Sequence, residues 1–166
     1  MRAAAYLLLI VSLVVLHATL LPYVSVWGVV PDAGLIAVCF VGLLAGELEG
    51  LLVGLCLGWA MSLFSAGGLA ASLVVKGGAG FLAGMAGRHM AQVTPVVLVS
   101  GLFAASMAGG LVTLWAEKLS EQQPLWWALQ TIILPQACFD AVIGGIGYWL
   151  IWSRFQLDRL AMEPEL

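Results

Sequence analysis

From Ala3 to Trp152 the chain is a series of apolar runs with very little polar punctuation between them. The runs cover residues 3–21, 32–46, 50–64, 69–87, 95–115 and 126–152. A membrane-crossing helix needs roughly 20 apolar residues, so six runs use most of the chain and leave only connections and tails. Just 9% of the 166 residues are charged and the mean hydropathy is +1.08, against about 25% charged in a soluble domain. Such a chain cannot cover a water-facing surface. The expectation is an all-α polytopic membrane protein with six transmembrane helices, residues 1–166 forming one integral-membrane domain with a polar tail over 153–166. No stretch is left for a soluble catalytic or nucleotide-binding fold, and nucleic acid is not expected as a partner.

The breaks between runs carry their own information. Pro22 ends the first run, and Tyr23 and Trp27 follow as interface-type aromatics. The first apolar stretch is longer than the 7–15 residues of a signal-peptide core and is read as a span. A single helix over 32–64 would be about 50 Å long and would bury Glu47 and Glu49, so a tight turn is expected at 47–49. Ser65-Ala66-Gly67-Gly68 is a second turn signal. Pro135 predicts a kink in the last span. With six spans, Arg2, Arg88, Arg154 and Arg159 fall on one side and Lys118 on the other. The positive-inside tendency then places both termini in the cytoplasm. Trp149 and Trp152 belt the inner edge, and Trp115, Trp126 and Trp127 the outer one.

Two ionisable residues lie well inside the runs, Lys76 in the fourth and Asp140 in the sixth. A charge at that depth costs several kcal/mol unless it is paired or neutralised, so the two are expected to form an ion pair or share a polar network. The pair reads either as a tie between two helices or as a substrate or ion site. His17, with Ser12 and Thr19 on the same span, reads as an interhelical hydrogen-bonder, and His89 beside Arg88 as a headgroup contact. Cys39, Cys56 and Cys138 sit in apolar runs without ligand spacing and read as packing residues. No GxSxG, Walker, dinucleotide or HExxH motif occurs. No catalytic, cofactor-binding or metal-ligating residue is assigned, and no cofactor is expected.

Glycine supplies the strongest spacing signal. Gly42, Gly46, Gly50, Gly54 and Gly58 recur every four residues, which on a helix makes one smooth stripe. A turn at 47–49 leaves Gly50, Gly54 and Gly58 as the stripe of the third span. Gly80 and Gly84 repeat the spacing on the fourth, and Gly144, Gly145 and Gly147 cluster on the sixth. Without Cβ atoms, backbones approach closely, and packing replaces the hydrophobic drive that lipid cannot supply. These faces read as internal helix packing or as a surface for a partner span or a second copy.

Several segments resemble the rod shape-determining protein MreD family, small six-span proteins of the bacterial cell-elongation machinery. They are His17-Ala18-Thr19-Leu20-Leu21-Pro22 closing the first span, Pro31-Asp32 opening the second, and residues 54–69 with Ser62, Ser65 and Gly67. Trp115-Ala116-Glu117 is similar to some members as well. The third-span position where the family often has Asp is Ser62 here, and Val30 stands where a basic residue commonly precedes Pro-Asp. The resemblance implies a non-enzymatic scaffold of the bacterial cytoplasmic membrane that binds an MreC-like protein. Through it the chain would act with MreB filaments and the wall-synthesising polymerase and transpeptidase. It also implies a fold similar to the six-helix substrate-binding components of energy-coupling-factor transporters. Such a component, capturing a vitamin-type small molecule in a polar pocket, is the alternative; Trp27, Asp32, Glu117, Lys118 and Gln122 are the outer residues available to line one.

Overall fold

The computed structural model of the protein describes residues 2–19, 30–64, 68–89, 95–116 and 125–161, and among these there is no strand. The helices are α1 (Arg2–Thr19), α2 (Ala33–Ala45), α3 (Glu47–Ser62), α4 (Leu69–His89), α5 (Pro95–Ala116), α6 (Leu125–Ala128) and α7 (Leu134–Ala161). A π-helical turn, Leu129–Ile133, joins α6 to α7, so six rods result. Among the described residues, three stretches are long and apolar enough to cross a bilayer: Leu69–Arg88, Pro95–Ala116 and Trp126–Leu150. Tyr6–His17 and Ala33–Ala45 are shorter apolar helices. The protein is a helical membrane protein.

Two expectations about the breaks are corrected. The turn between the second and third runs is not at 47–49 but at Gly46 alone, whose φ of 111° suits a residue without Cβ. Glu47 and Glu49 form the first turn of α3, where a carboxylate meets the positive end of the helix dipole. Glu47 also pairs with Arg88 Nη1 at 3.0 Å, and the Tyr6 hydroxyl donates to Glu49, which ties α1, α3 and α4 together at that end. The last rod also continues as helix to Ala161, beyond the predicted end at Trp152. At Pro135 the expected disturbance takes the form of the π turn just before it, where Leu134 N–H donates to Leu129 O. Proline has no N–H and its ring crowds the carbonyl four residues earlier, and the wider turn makes room for it. Tyr23, Trp27, Ser65, Gly67, Glu117, Lys118 and Gln122 lie outside the described residues, as does the end of the tail from 162. The backbones of Arg2, His89, Trp152, Arg154 and Arg159 are described, but their side chains are not.

α2 is the axis of the molecule. It is the shortest of the rods, 13 residues, yet Leu35, Ile36, Val38, Cys39 and Val41 are all buried. A helix that is apolar all round belongs in an interior. One side packs with Val53, Leu57 and Met61 of α3 and with Leu9, Ile10 and Leu13 of α1. Its other side meets Ala79 of α4 and Leu98 and Leu102 of α5. Leu114, Ala128 and Ile133 close a smaller cluster where α5 meets α6 and the π turn.

α3 and α4 share the most extensive helix interface, and glycine sets its register. A Cβ built on Gly50 would stand 2.5 Å from the Gly80 carbonyl oxygen, and one on Gly58 would stand 2.8 Å from that of Ser72. Gly54 lies on the backbone of Lys76, and Gly84 on that of Glu47. Each step of four along α3 is thus matched by a step of four back along α4, so the two run antiparallel. Gly42 of α2 rests on the same Gly80 backbone. The five-glycine spacing therefore acts as one surface against α4, although Gly46 folds it in two.

Candidate functional site

Asp32 starts the site because it caps α2. Its Oδ1 accepts from Leu35 N–H at 3.0 Å, satisfying one of the donors that a helix start leaves unpaired. Pro31 before it is buried. The second oxygen, Oδ2, takes the Lys76 ammonium at 2.8 Å. Lys76 is 7% exposed, and its stem passes Gly34, where a Cβ would stand 3.0 Å from Cε. Glycine at 34 leaves the lysine a path to the acid.

The Asp32 backbone N–H, which precedes the helix, donates to Asp140 Oδ1 at 2.8 Å. Asp140 Oδ2 accepts from the Ser106 hydroxyl at 2.6 Å. Asp140 is fully buried and Ser106 nearly so. Four helices thus meet in one polar network: α2 through Asp32, α4 through Lys76, α5 through Ser106 and α7 through Asp140. Of the two arrangements expected for Lys76 and Asp140, an ion pair or a shared polar network, the second is found. Lys76 pairs with Asp32, the acid at the helix cap, and the two residues share a network only through Asp32. An acid bonded by its N–H on one side and by its carboxylate on the other is well placed to link the two.

Above the network lies a cavity of about 350 Å³. Asp32, Ser72, Lys76, Ser106, Thr113 and Gln136 supply its polar lining. Val75, Leu114, Ile132 and Ile133 supply apolar wall, the last two from the π turn. Its size sits at the lower end of small-molecule pockets, roughly 300–1,000 Å³. Among the described residues, none that lines it is aromatic.

The other sequence candidates fall elsewhere. Gly50, Gly54, Gly58, Gly80 and Gly84 lie at backbone contacts between helices. Ser62 donates to its own helix at Trp59 O, 2.7 Å, and takes no part in the network. His17 is corrected too: its Nδ1 is buried with no hydrogen-bond partner among the described residues, while Ser12 and Thr19 donate to Leu9 O and Val15 O of the same helix. Cys39 is buried and Cys56 and Cys138 are exposed, all as free thiols. Ser106 and Gln136 were missed by the sequence reading. A serine interrupting an apolar run was the available signal for the first, and the i, i+4 spacing to Asp140 for the second. No family model, curated protein or solved structure matches this chain.

Proposed function

We propose that the chain is a non-enzymatic membrane scaffold of a bacterial cell-elongation complex, inserted in the cytoplasmic membrane with both termini inside and binding an MreC-like partner. The reading rests on the likeness of residues 17–22, 31–32 and 54–69 to the MreD family. The observation that supports it furthest is the way the helices are joined. Helix backbones meet at glycines and the buried charges are engaged with one another, leaving outer helix faces as the means of action. Those faces are rich in exposed apolar side chains, among them Leu7, Val11 and Val15 of α1 and Val142, Ile146 and Trp149 of α7. Co-purification with an MreC-like protein tests it. The expected result is a stable complex and a change in cell width on depletion; a chain that does neither is not a shape protein.

The cavity favours a second reading, a membrane substrate-binding component of a small-molecule transporter. A polar floor under a cleft of about 350 Å³ is what such a component requires. A small molecule that co-purifies with the chain would support it.

A further inference from the structure

The cavity offers both halves of a hydrogen bond. Lys76 carries three N–H donors, and among the described residues only Asp32 takes one of them. Lys76 is 7% exposed, and a buried ammonium leaves its remaining donors for whatever occupies the space beside it. Acceptors line the same space. Ser72 Oγ donates to Gly58 O at 3.1 Å and Thr113 Oγ1 to Gly109 O at 3.0 Å. A carbonyl oxygen only accepts, so these hydroxyls have their hydrogens committed and offer the cavity lone pairs. Each Asp32 oxygen accepts one bond, from Leu35 N–H and from Lys76, and keeps a lone pair. Gln136 adds an amide that both donates and accepts.

Charge narrows the choice. Among the described residues that line the cavity, the charged ones are Asp32 and Lys76, and they neutralise each other. Asp140 stands behind Ser106 and does not line it. A cation or an anion entering this space would lose its hydration and meet no unmatched counter-charge on the lining, which is costly. An uncharged ligand avoids that cost. It must still carry donors and acceptors together, and apolar surface to lie on Val75, Leu114, Ile132 and Ile133. A hydroxyl donates and accepts at one atom, and a carbon skeleton bearing several hydroxyls presents C–H faces as well. Water alone answers the polar groups but not the apolar wall.

We propose that the cavity binds an uncharged polyol, its neighbouring hydroxyls accepting from Lys76 and donating to Asp32, Ser72 and Thr113. The polyol is a free sugar-sized molecule or the sugar headgroup of an uncharged glycolipid. At about 350 Å³ the cavity equals roughly twelve water volumes, which is room for a hexose. This inference rests on the transporter reading and names a substrate class for it.

The test uses the full chain in phosphatidylcholine nanodiscs and saturation-transfer NMR with sorbitol and glucose. Glucamine and gluconate are the cationic and anionic counterparts of sorbitol. The uncharged polyols are expected to bind, and glucamine and gluconate to bind at least tenfold more weakly. Thr113→Val and Gln136→Leu, which leave the Asp32–Lys76 pair intact, are each expected to weaken binding roughly tenfold, the scale of one lost hydrogen bond. Nanodiscs containing a glucosyl diacylglycerol separate the sources. Retention of that lipid in native mass spectrometry, with loss of the free-polyol signal, assigns the headgroup; an undiminished signal assigns a free polyol. Silence toward sorbitol, glucose and the glycolipid, equal binding of a charged counterpart, or indifference to both substitutions overturns the proposal. A co-purifying molecule of other chemistry would overturn it too, yet leave the transporter reading standing, and partner co-purification reports separately on the scaffold.

Discussion

Asp32 gives its backbone N–H to the carboxylate of Asp140 at 2.8 Å, so one acid holds the other across 108 positions of sequence. The same residue caps α2 and receives the Lys76 ammonium. One side chain and its own amide therefore engage the other two ionisable residues of the network.

This arrangement separates two kinds of coupling. Lys76→Met strands the Asp32 carboxylate without its cation and is expected to cost about 3–5 kcal/mol, the range for breaking a buried pair. Adding Asp32→Asn to it removes the stranded charge and should recover part of that loss. Reversible unfolding in mixed micelles, arranged as a double-mutant cycle, measures the effect. The Lys76–Asp32 cycle should show a larger interaction energy than a Lys76–Asp140 cycle; additive losses at Lys76 and Asp32 would contradict the pairing.

Ser106 supplies one of the two donors to Asp140. Ser106→Ala should destabilise the protein by about 1.5–3 kcal/mol, the range for a hydrogen bond to a charged group. Asp140→Asn in the same background should cost less than it does alone. Equal costs in the two backgrounds would show that the hydroxyl and carboxylate do not act together.

The glycines divide sharply by surroundings. Gly50→Ala puts a methyl group 2.5 Å from a backbone carbonyl that cannot rotate away, and overpacking of that kind costs about 1–3 kcal/mol. Gly78 and Gly101 have nothing within 4 Å of a built Cβ. Alanine there should be neutral or stabilise by up to about 1 kcal/mol, as helix propensity favours. Unfolding midpoints of the three single variants decide the point.

Much of this was legible in sequence. The six apolar runs gave the helices, because in a chain this apolar each run can satisfy its backbone only by coiling. The four-residue glycine spacing marked faces for close helix contact, because backbones without Cβ atoms can approach one another; that α3 and α4 are the helices that meet there comes from the structure. The partner of Lys76 was not legible. Depth along a span pointed to Asp140, whereas the helix packing brings the capping acid of α2 beside α4, and caps are assigned to ends rather than to interiors. The single-residue turn was hidden too, since Glu47-Leu48-Glu49 looks polar enough to be a loop. Only the register of α3 against α4 shows those residues to be a helix start.

A Cβ built on Gly46 would meet nothing within 4 Å, so its substitution cost is conformational. Gly46→Ala should lose about 1–2 kcal/mol from the left-handed backbone alone. Gly46→Asn should lose about as much as Gly46→Ala, since asparagine tolerates left-handed helical backbone but not this extended region at φ 111° and ψ 176°, which is essentially confined to glycine. A clearly smaller loss for the asparagine variant would contradict that backbone.

The Gly46 fold-back also has a mechanical result. α2 and α3, at 13 and 16 residues, rise only about 20 and 24 Å, while the hydrocarbon of a bilayer is about 30 Å deep. α4 beside them, at 21 residues, matches that depth. Lipid meets the short side at α3, where Leu48, Leu52, Leu55 and Trp59 are exposed. A helix shorter than the hydrocarbon is accommodated by a thinner bilayer, by flanking side chains that reach to the interface or by association with another chain, at a fraction of a kcal/mol for each ångström of mismatch. Where the bilayer thins beside α3, that flank would act as a spring on its own membrane, and an asymmetric inclusion of that kind would be drawn toward regions where the bilayer is already compressed.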